Sequence, residues 1–290
     1  MLMLLPKFEY LSCETLEEAC ALLSKYGDEA RVLSGGTDLI VKMKHKMMTP
    51  GYIINIKRIP GLSYIRKYED HGVNIGTLTT LQAVKNSPLI KKVFPALYDA
   101  ACVLGTRQVR NLATIGGNLC NASPAAECAP PLLALNAKVR IKGEKGRKLM
   151  DLKDFFTGPG ETALGQDEIL DEIQIPEPPA RSGGVYLKHS TRRIDVAMVG
   201  VAVIAQLEEN RFKDIRIALG AVGPTPMRAP KAEEVLIGKE PGEKWTNKAA
   251  NAASDESFPI DDIRGYRDYR KKMVGILVKN AIDGAMARAK

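Results

Sequence analysis

The chain has 290 residues, of which 45% are hydrophobic and 26% charged, a composition ordinary for a globular protein large enough to form two domains. Its net charge is +8, but the positive residues are scattered and the 6% of aromatic residues do not alternate with them, so solvated helix faces explain the charge better than nucleic-acid binding does. No apolar run reaches the roughly 18 residues of a membrane span, and residues 1–5 lack the basic start of a secretion signal, so we expect a cytoplasmic protein with no membrane span.

The first predicted elements alternate between strands and helices. Residues 1–5 are expected to begin a strand, and the capping box at residues 15–18 begins an amphipathic helix that ends at Gly27. Residues 31–33 form a short strand. The sequence SGGTD at residues 34–38 follows as a loop, in which the side chain of Asp38 is expected to cap the next helix.

The middle of the chain mixes strands and helices around one long irregular segment. Residues 105–124 are rich in small and polar residues and are expected to wrap around something, because compact domains tolerate few long loops. The regular elements are predicted as strands at residues 52–59, 72–78, 138–142 and 169–175, and as helices at 80–86, 89–104 (interrupted near Pro95) and 132–135.

One phrase occurs twice. Gly35 and Gly36 follow an extended segment and precede a small polar residue, and so do Gly116 and Gly117. Paired glycines let backbone N–H groups converge on an anion, since no Cβ stands in the way. Neither copy fits the G-x-G-x-x-G or P-loop patterns. Two such nests would suit two linked phosphates, so a dinucleotide cofactor is the first hypothesis.

A Pro- and Gly-rich linker at residues 176–184 separates a second unit. Three strands are predicted there, at residues 185–189, 196–207 and 212–222, and a long helix at 266–287. This pattern is typical of a three-stranded antiparallel sheet with helices on one face, in an α+β protein.

The cysteines do not suggest a metal site or a disulfide framework. Their number is five and no C-x-x-C occurs, so we expect no metal on this chain. Cys120 follows the second Gly-Gly pair and lies either near a ligand or, as a small buried residue, in the core.

The chain resembles the FAD-binding medium subunit of the molybdenum hydroxylases, the xanthine dehydrogenase and carbon monoxide dehydrogenase family. The match extends over nearly the whole chain. It rests on four stretches: SGGTDL at residues 34–39, TIGGN at 114–118 with NASP at 121–124, EIL at 168–170, and YLK at 186–188 with RRID at 192–195.

The resemblance implies a two-lobed FAD-binding domain of the vanillyl-alcohol-oxidase (PCMH-like) type at residues 1–176, with lobes of about 1–57 and 58–176. A C-terminal domain of the carbon monoxide dehydrogenase flavoprotein type follows at 182–290. It also implies an electron-transfer subunit with noncovalent FAD. A large partner subunit would carry molybdopterin, a small one would carry [2Fe-2S] clusters, and NAD or another acceptor would take the electrons.

The resemblance also implies roles for particular residues. Lys188, Asp195 and Val196 are expected near the flavin ring, and Glu127 near the adenosine, with no catalytic residue because the flavin carries the chemistry. For Lys188 and Asp195, a strand-end lysine and a turn cap remain alternatives. The expected cofactor-binding residues are Val32, Leu33, Ser34, Gly35, Gly36, Thr37, Asp38, Leu39, Leu104, Thr114, Gly116, Gly117, Asn118, Asn121, Glu127, Ile169, Leu170 and Lys188.

Two other functions remain open on the sequence. A stand-alone FAD-dependent reductase would turn over without partner subunits. A basic polyanion-binding protein would bind DNA with a steep dependence on salt concentration.

Overall fold

A computed structural model of the chain describes residues 4–68 and 72–289. The first lobe is a parallel three-stranded sheet in the order β1-β3-β2, flanked by two helices. Its elements are β1 (Glu9–Ser12), α1 (Leu16–Tyr26), β2 (Ala30–Leu33), α2 (Leu39–Lys44) and β3 (Tyr52–Asn55). The Thr15 hydroxyl accepts from the Glu18 N–H and so caps α1, as the capping box predicts.

The second lobe is an antiparallel five-stranded sheet, β4-β5-β10-β6-β7, covered by short helices. Its helices are α3 (Leu81–Asn86), α4 (Pro88–Val93), α5 (Pro95–Val103), α6 (Arg107–Leu112), α7 (Ile115–Cys120) and α8 (Ala129–Ala134). Its strands are β4 (Ile65–Tyr68), β5 (Gly72–Gly76), β6 (Lys138–Gly143), β7 (Gly146–Asp151) and β10 (Ile169–Ile175), with β8 (Phe156–Gly158) and β9 (Glu161–Thr162) forming a separate pair.

The C-terminal unit follows residues 176–181, which contain no helix or strand. Its antiparallel sheet has the three long strands expected and a fourth of two residues. The elements are β11 (Ser182–His189), β12 (Val199–Glu208), β13 (Arg211–Gly220), β14 (Met227–Arg228), α9 (Pro230–Leu236), α10 (Glu243–Glu256) and α11 (Arg267–Arg288).

The two faces of this sheet are buried in different cores. Alternate residues of β12 divide between them, since side chains along a strand point to opposite faces. Val201 and Val203 pack with the helices of the C-terminal unit, whereas Ala202 and Ile204 join the core of the second lobe. The C-terminal unit is therefore anchored to the rest of the molecule by an apolar contact.

Several predicted elements differ from the structure. The first strand begins at Glu9, because residues 4–8 are irregular, and residues 1–3 lie outside the described part of the chain. Residues 105–124 form two short helices, α6 and α7, within the expected loop. The strand β7 was not predicted from the sequence. Nearly all of its residues are exposed, so apolar and polar residues do not alternate along it. The side chain of Asp38 does not cap α2.

Candidate cofactor cleft

A cleft of about 470 Å³ lies where the two lobes and the C-terminal unit meet. One wall is the loop between β2 and α2, and the opposite wall is formed by α6, α7 and β10. Ile194 and Val196, from the loop after β11, close a third side. The volume is within the usual range for small-molecule and cofactor sites, about 300–1,000 Å³.

The first Gly-Gly loop presents free backbone donors to this cleft. Among the described residues, no hydrogen-bond acceptor is paired with the N–H groups of Gly35, Gly36, Thr37 or Asp38. Gly36 has φ of +73°, a left-handed conformation in which other residues are strained. Successive N–H groups in such a turn form a concave anion site, as the sequence predicts for this copy of the phrase.

The second Gly-Gly pair is not a nest, which corrects the sequence prediction. The Gly116 N–H donates to the Thr77 carbonyl at 3.0 Å, and the Gly117 N–H donates to the Thr114 hydroxyl at 3.0 Å. Both N–H groups are therefore already hydrogen-bonded within the protein, at the start of α7. These glycines provide space: a Cβ on Gly116 would lie 1.8 Å from Thr77 Oγ1.

The two glycine phrases pack against each other. A Cβ on Gly35 would lie 2.1 Å from the Leu112 carbonyl oxygen, so only glycine allows this approach. The Thr114 hydroxyl donates to Ser34 Oγ at 3.3 Å. Across the cleft, the Lys42 ammonium donates to Asn121 Oδ1 at 2.7 Å. The repeated phrase therefore marks two surfaces in contact, one of which carries the N–H nest.

Asn118 has an unpaired hydrogen-bond acceptor. Its side chain lines the cleft, and its Oδ1 is buried without a hydrogen-bond partner among the described residues. Buried polar atoms are rarely left unpaired, because the loss of solvation costs about 1–3 kcal/mol. An unpaired amide in a cleft is therefore a sign that a ligand supplies the missing partner.

Glu127 and Lys188 form a buried ion pair at 3.3 Å. Glu127 lines the cleft, whereas the Lys188 side chain is 2% exposed and lies behind that wall. The expected contact of Lys188 with the flavin ring therefore has no geometric support, and neither does the alternative of an exposed strand-end lysine. From the sequence, Glu127 is expected near the adenosine and Lys188 near the flavin ring, at opposite ends of FAD. Because the two side chains contact each other, they cannot lie at opposite ends.

Burial changes the ionisation of groups in and near the cleft. Burial raises the pKa of Glu127, and the nearby Lys188 cation only partly opposes this. Burial also raises the pKa of the Cys120 thiol, to about 12. Cys120 lines the cleft and stays a neutral thiol at physiological pH.

Part of the cleft lining is apolar. Ile169 and Leu170, at the start of β10, belong to it together with Gly160 and Leu164. Asp195 does not line the cleft. Its carboxylate accepts from Arg192 Nε at 3.1 Å, and from the Arg192 N–H, within its own loop. Asp195 therefore caps a turn, which is the alternative that the sequence left open for it.

Nearly all residues that the sequence assigns to cofactor binding line this cleft, the exceptions being Leu33 and Lys188. Val196, which was expected near the flavin ring, also lines it. Several further lining residues were not predicted from the sequence, although some of them lie next to assigned ones. They are Arg31, Lys42, Met48, Ile56, Thr77, Leu81, Gly105, Val109, Ala113, Gly160, Leu164, Glu168 and Ile194. Lys42 could have been found, because it shares a helix face with Leu39.

The cleft fits a dinucleotide cofactor of the FAD type. It combines one anion-binding nest, an unpaired buried amide and several apolar lining residues. All five cysteines are free, and no cluster of three or more His, Cys, Asp or Glu within residues 4–68 and 72–289 is arranged to hold a metal. In the same part of the chain, every helix is too short or too polar to cross a membrane.

Comparison with known proteins gives matches along the whole chain. Residues 6–178 match the FAD binding domain in molybdopterin dehydrogenase, and residues 185–285 match the CO dehydrogenase flavoprotein C-terminal domain.

Two relatives illustrate the similarity. The chain is 35% identical to the carbon monoxide dehydrogenase medium chain of Hydrogenophaga pseudoflava, over 99% of both chains. It is 34% identical to the glyceraldehyde dehydrogenase medium chain of Sulfolobus acidocaldarius, over 95% of this chain and 97% of that one.

The fold is also that of a solved structure. It superimposes with a TM-score of 0.96 on a chain of carbon monoxide dehydrogenase from Hydrogenophaga pseudoflava, covering 98% of this chain and 99% of that one at 35% identity. The α+β fold inferred from the sequence is thereby confirmed. The chain belongs to the family of FAD-binding medium subunits of the molybdenum hydroxylases, and is an oxidoreductase flavoprotein subunit.

Proposed function

We propose that the chain binds FAD in the cleft between its two lobes and transfers electrons from a [2Fe-2S] partner subunit to NAD or another acceptor. The free N–H groups of the Gly35–Asp38 nest are the observation that carries the proposal, because such groups bind anions and the pyrophosphate of FAD is an anion. When bound, the flavin would supply the redox chemistry, since it can take up and release electrons.

We assign the chain's residues to holding and enclosing this cofactor. The nest would hold the pyrophosphate, and Asn118 would bond a polar group of the cofactor through its unpaired Oδ1. Ile194 and Val196, each 52% exposed, would be covered by the flavin and keep water from it. Glu127 is assigned to the flavin end rather than the adenosine end, because it contacts Lys188 near these residues.

We also propose where the domains begin and end, which partner subunits the chain has, and which cofactors those partners carry. The lobes of about 1–57 and 58–176 and the C-terminal domain at 182–290 are supported by three groups of buried residues, each drawn mainly from one of these ranges. The names of relatives as medium chains support a large molybdopterin subunit and a small [2Fe-2S] subunit as partners. The five free cysteines are usual for a reducing compartment, which favours the cytoplasm.

Thr37 offers a test of the nest with a matched control. The residue lines the cleft beside Gly36, so Thr37→Glu places a carboxylate next to the proposed phosphate, and Thr37→Gln adds the same bulk without charge. We expect Thr37→Glu to weaken FAD binding at least about tenfold more than Thr37→Gln, because of like-charge repulsion. The measurement is titration of flavin-free protein with FAD, followed by flavin fluorescence.

Equal affinity of the two Thr37 variants would show that phosphate does not lie at this loop. An unaltered protein that binds no FAD would refute the proposed cofactor itself. Unfolding curves of both variants, measured without FAD, separate a loss of binding from a loss of stability.

The partners are tested by purifying the full chain from its native host. We expect two further chains to accompany it, one containing molybdenum and the other iron and acid-labile sulfide. Recovery of a yellow protein that turns over NADH without other chains would favour the stand-alone reductase. A flavin-free protein that binds DNA in a salt-dependent manner would favour the polyanion-binding alternative.

A further inference from the structure

Lys188 has a buried side chain next to the cleft. Its ammonium donates to the Val103 carbonyl at 2.7 Å, to the Asp195 carbonyl at 2.9 Å and to Glu127 Oε1 at 3.3 Å. An ammonium has three N–H donors, so these contacts use all of them. Burying a lysine this completely requires such full pairing.

Each of the three acceptors belongs to, or lies directly next to, a different part of the cleft wall. Val103 is the last residue of α5 and precedes Leu104, which lines the cleft. Glu127 lines it with its own side chain. Asp195 lies between Ile194 and Val196, the two residues that close the third side. A single side chain therefore holds three wall segments at fixed distances from each other.

The bridge also joins the two halves of the chain. Val103 and Glu127 belong to the part matched by the FAD-binding domain, whereas Lys188 and Asp195 belong to the part matched by the C-terminal domain. The other hydrogen bonds that the structure describes for residues 190–198 stay within the C-terminal unit. They include Asp195 N–H to the Arg192 carbonyl and Met198 N–H to the His189 carbonyl.

We propose that Lys188 is a positioning residue of the cofactor cleft, which fixes the loop of Ile194 and Val196 against α5 and Glu127. The C-terminal unit thereby supplies one wall of the site. This inference rests on the proposed function, because it assigns the wall to bound FAD. It differs from the flavin-contacting role expected from the sequence, since Lys188 acts through other residues.

A simpler role must be separated from this one. Lys188 could serve only to neutralise Glu127, whose carboxylate would otherwise be buried without a partner, at a large cost in stability. The two roles differ in what happens when both charges are removed. The double variant Lys188→Met/Glu127→Gln has no unpaired charge, but its Val103 and Asp195 carbonyls still lack their bridge.

The experiment compares Lys188→Met, Glu127→Gln and the double variant with the unaltered full-length protein. Three quantities are measured: unfolding of the flavin-free protein, the FAD dissociation constant, and the visible circular dichroism of bound flavin. Lys213→Met is the matched control, because Lys213 is half-exposed on the same sheet and pairs with Glu208. The control should leave FAD affinity and the dichroism unchanged.

We expect the double variant to recover stability lost in Lys188→Met. Its FAD affinity should remain at least about tenfold weaker than that of Glu127→Gln, with an altered dichroism spectrum, because lost bonds to a charged donor loosen the wall. Equal affinity and unchanged dichroism in the double variant and Glu127→Gln would overturn the proposal and leave Lys188 a charge-balancing role.

Two further results complete the test. If the methionine variants do not fold, Lys188→Arg retains the charge but cannot reproduce the three short contacts. Weaker FAD binding by Lys188→Arg would support the proposal, and unaltered affinity would overturn it. Failure of the unaltered protein to bind FAD would instead refute the proposed function, independently of any Lys188 variant.

Discussion

The glycines around the cleft meet different physical requirements. Gly36 is needed for its positive φ, whereas Gly35 and Gly116 are needed because neighbouring atoms come within 2.1 Å and 1.8 Å of where a Cβ would stand. Gly117 is less crowded, since its Cβ would lie 2.9 Å from two hydroxyl oxygens. Glycine is therefore required for its conformation at Gly36 and for close packing at Gly35 and Gly116.

Gly116→Ala should be strongly destabilising. The methyl group would collide with the side chain and the carbonyl of Thr77, and the latter accepts the Gly116 N–H, so we expect a loss of about 1–3 kcal/mol in the free energy of unfolding. Gly242→Ala is the control, because no atom lies within 4 Å of its Cβ position and its φ is 176°. Urea unfolding should show a change within about 0.5 kcal/mol for the control. Equal losses in the two variants would contradict this interpretation.

Among the elements, α6 and α7 were the least predictable. Each has only six residues, and a pair of glycines within α7 opposes helix formation. The hydroxyls of Thr106 and Thr114 cap their first turns. The Thr79 and Thr77 carbonyls also accept from the first N–H groups of α7. These acceptors come from a segment more than thirty residues earlier in the chain, which a local pattern does not include.

The segment between α10 and α11 is held by Asp262. Its carboxylate accepts from the Arg264 N–H at 2.8 Å and from the side chains of Arg264 and Arg270, the latter almost fully buried in α11. Partial burial acts to raise the pKa of Asp262, but the hydrogen bonds from Arg264 and Arg270 outweigh it and hold this pKa well below the usual value.

This depressed pKa predicts a pH-dependent stability. A carboxyl group whose pKa is lower in the folded state stabilises the fold fully above its unfolded pKa of about 3.9, and this stabilisation is lost as pH falls below that value. We therefore expect Asp262→Asn to lower the free energy of unfolding at pH 7, and the difference from the unaltered protein to shrink steadily below about pH 4. Urea unfolding at a series of pH values measures it.

Asp255→Asn is the control for this pH series. It makes the same chemical change at an exposed carboxylate and should have little effect on stability at any pH. If the deficit of Asp262→Asn were independent of pH, its cause would be packing rather than the ionised carboxylate.

At the scale of the whole molecule, the C-terminal unit shares a core with the second lobe. Tyr186, Ala202, Ile204 and Ala218 are buried in that shared core. The contact is reinforced by Arg288, which donates to Asp99 on α5 at 2.6 Å and to the Gly184 carbonyl at 2.7 Å. A unit that leaves one sheet face to be covered by its neighbour should not unfold independently of it.

The single tryptophan allows a direct test of this coupling. Trp245 lies in α10, so its fluorescence reports on the C-terminal unit alone, whereas far-ultraviolet circular dichroism reports on the whole chain. We expect the two signals to give coincident urea transitions for the flavin-free protein. A fluorescence transition at a clearly lower urea concentration would show that the domains unfold separately.

The sequence by itself determined the order of most elements, the family, and a set of cofactor-binding residues of which nearly all line the cleft. It could do so because capping boxes, alternation and glycine phrases are local patterns, and the family motifs are contiguous. Only the tertiary structure decided which Gly-Gly pair keeps its N–H groups free and where Lys188 points. Both depend on contacts between distant segments: the Thr77 and Thr114 oxygens use the donors of α7, and Val103, Glu127 and Asp195 surround the ammonium.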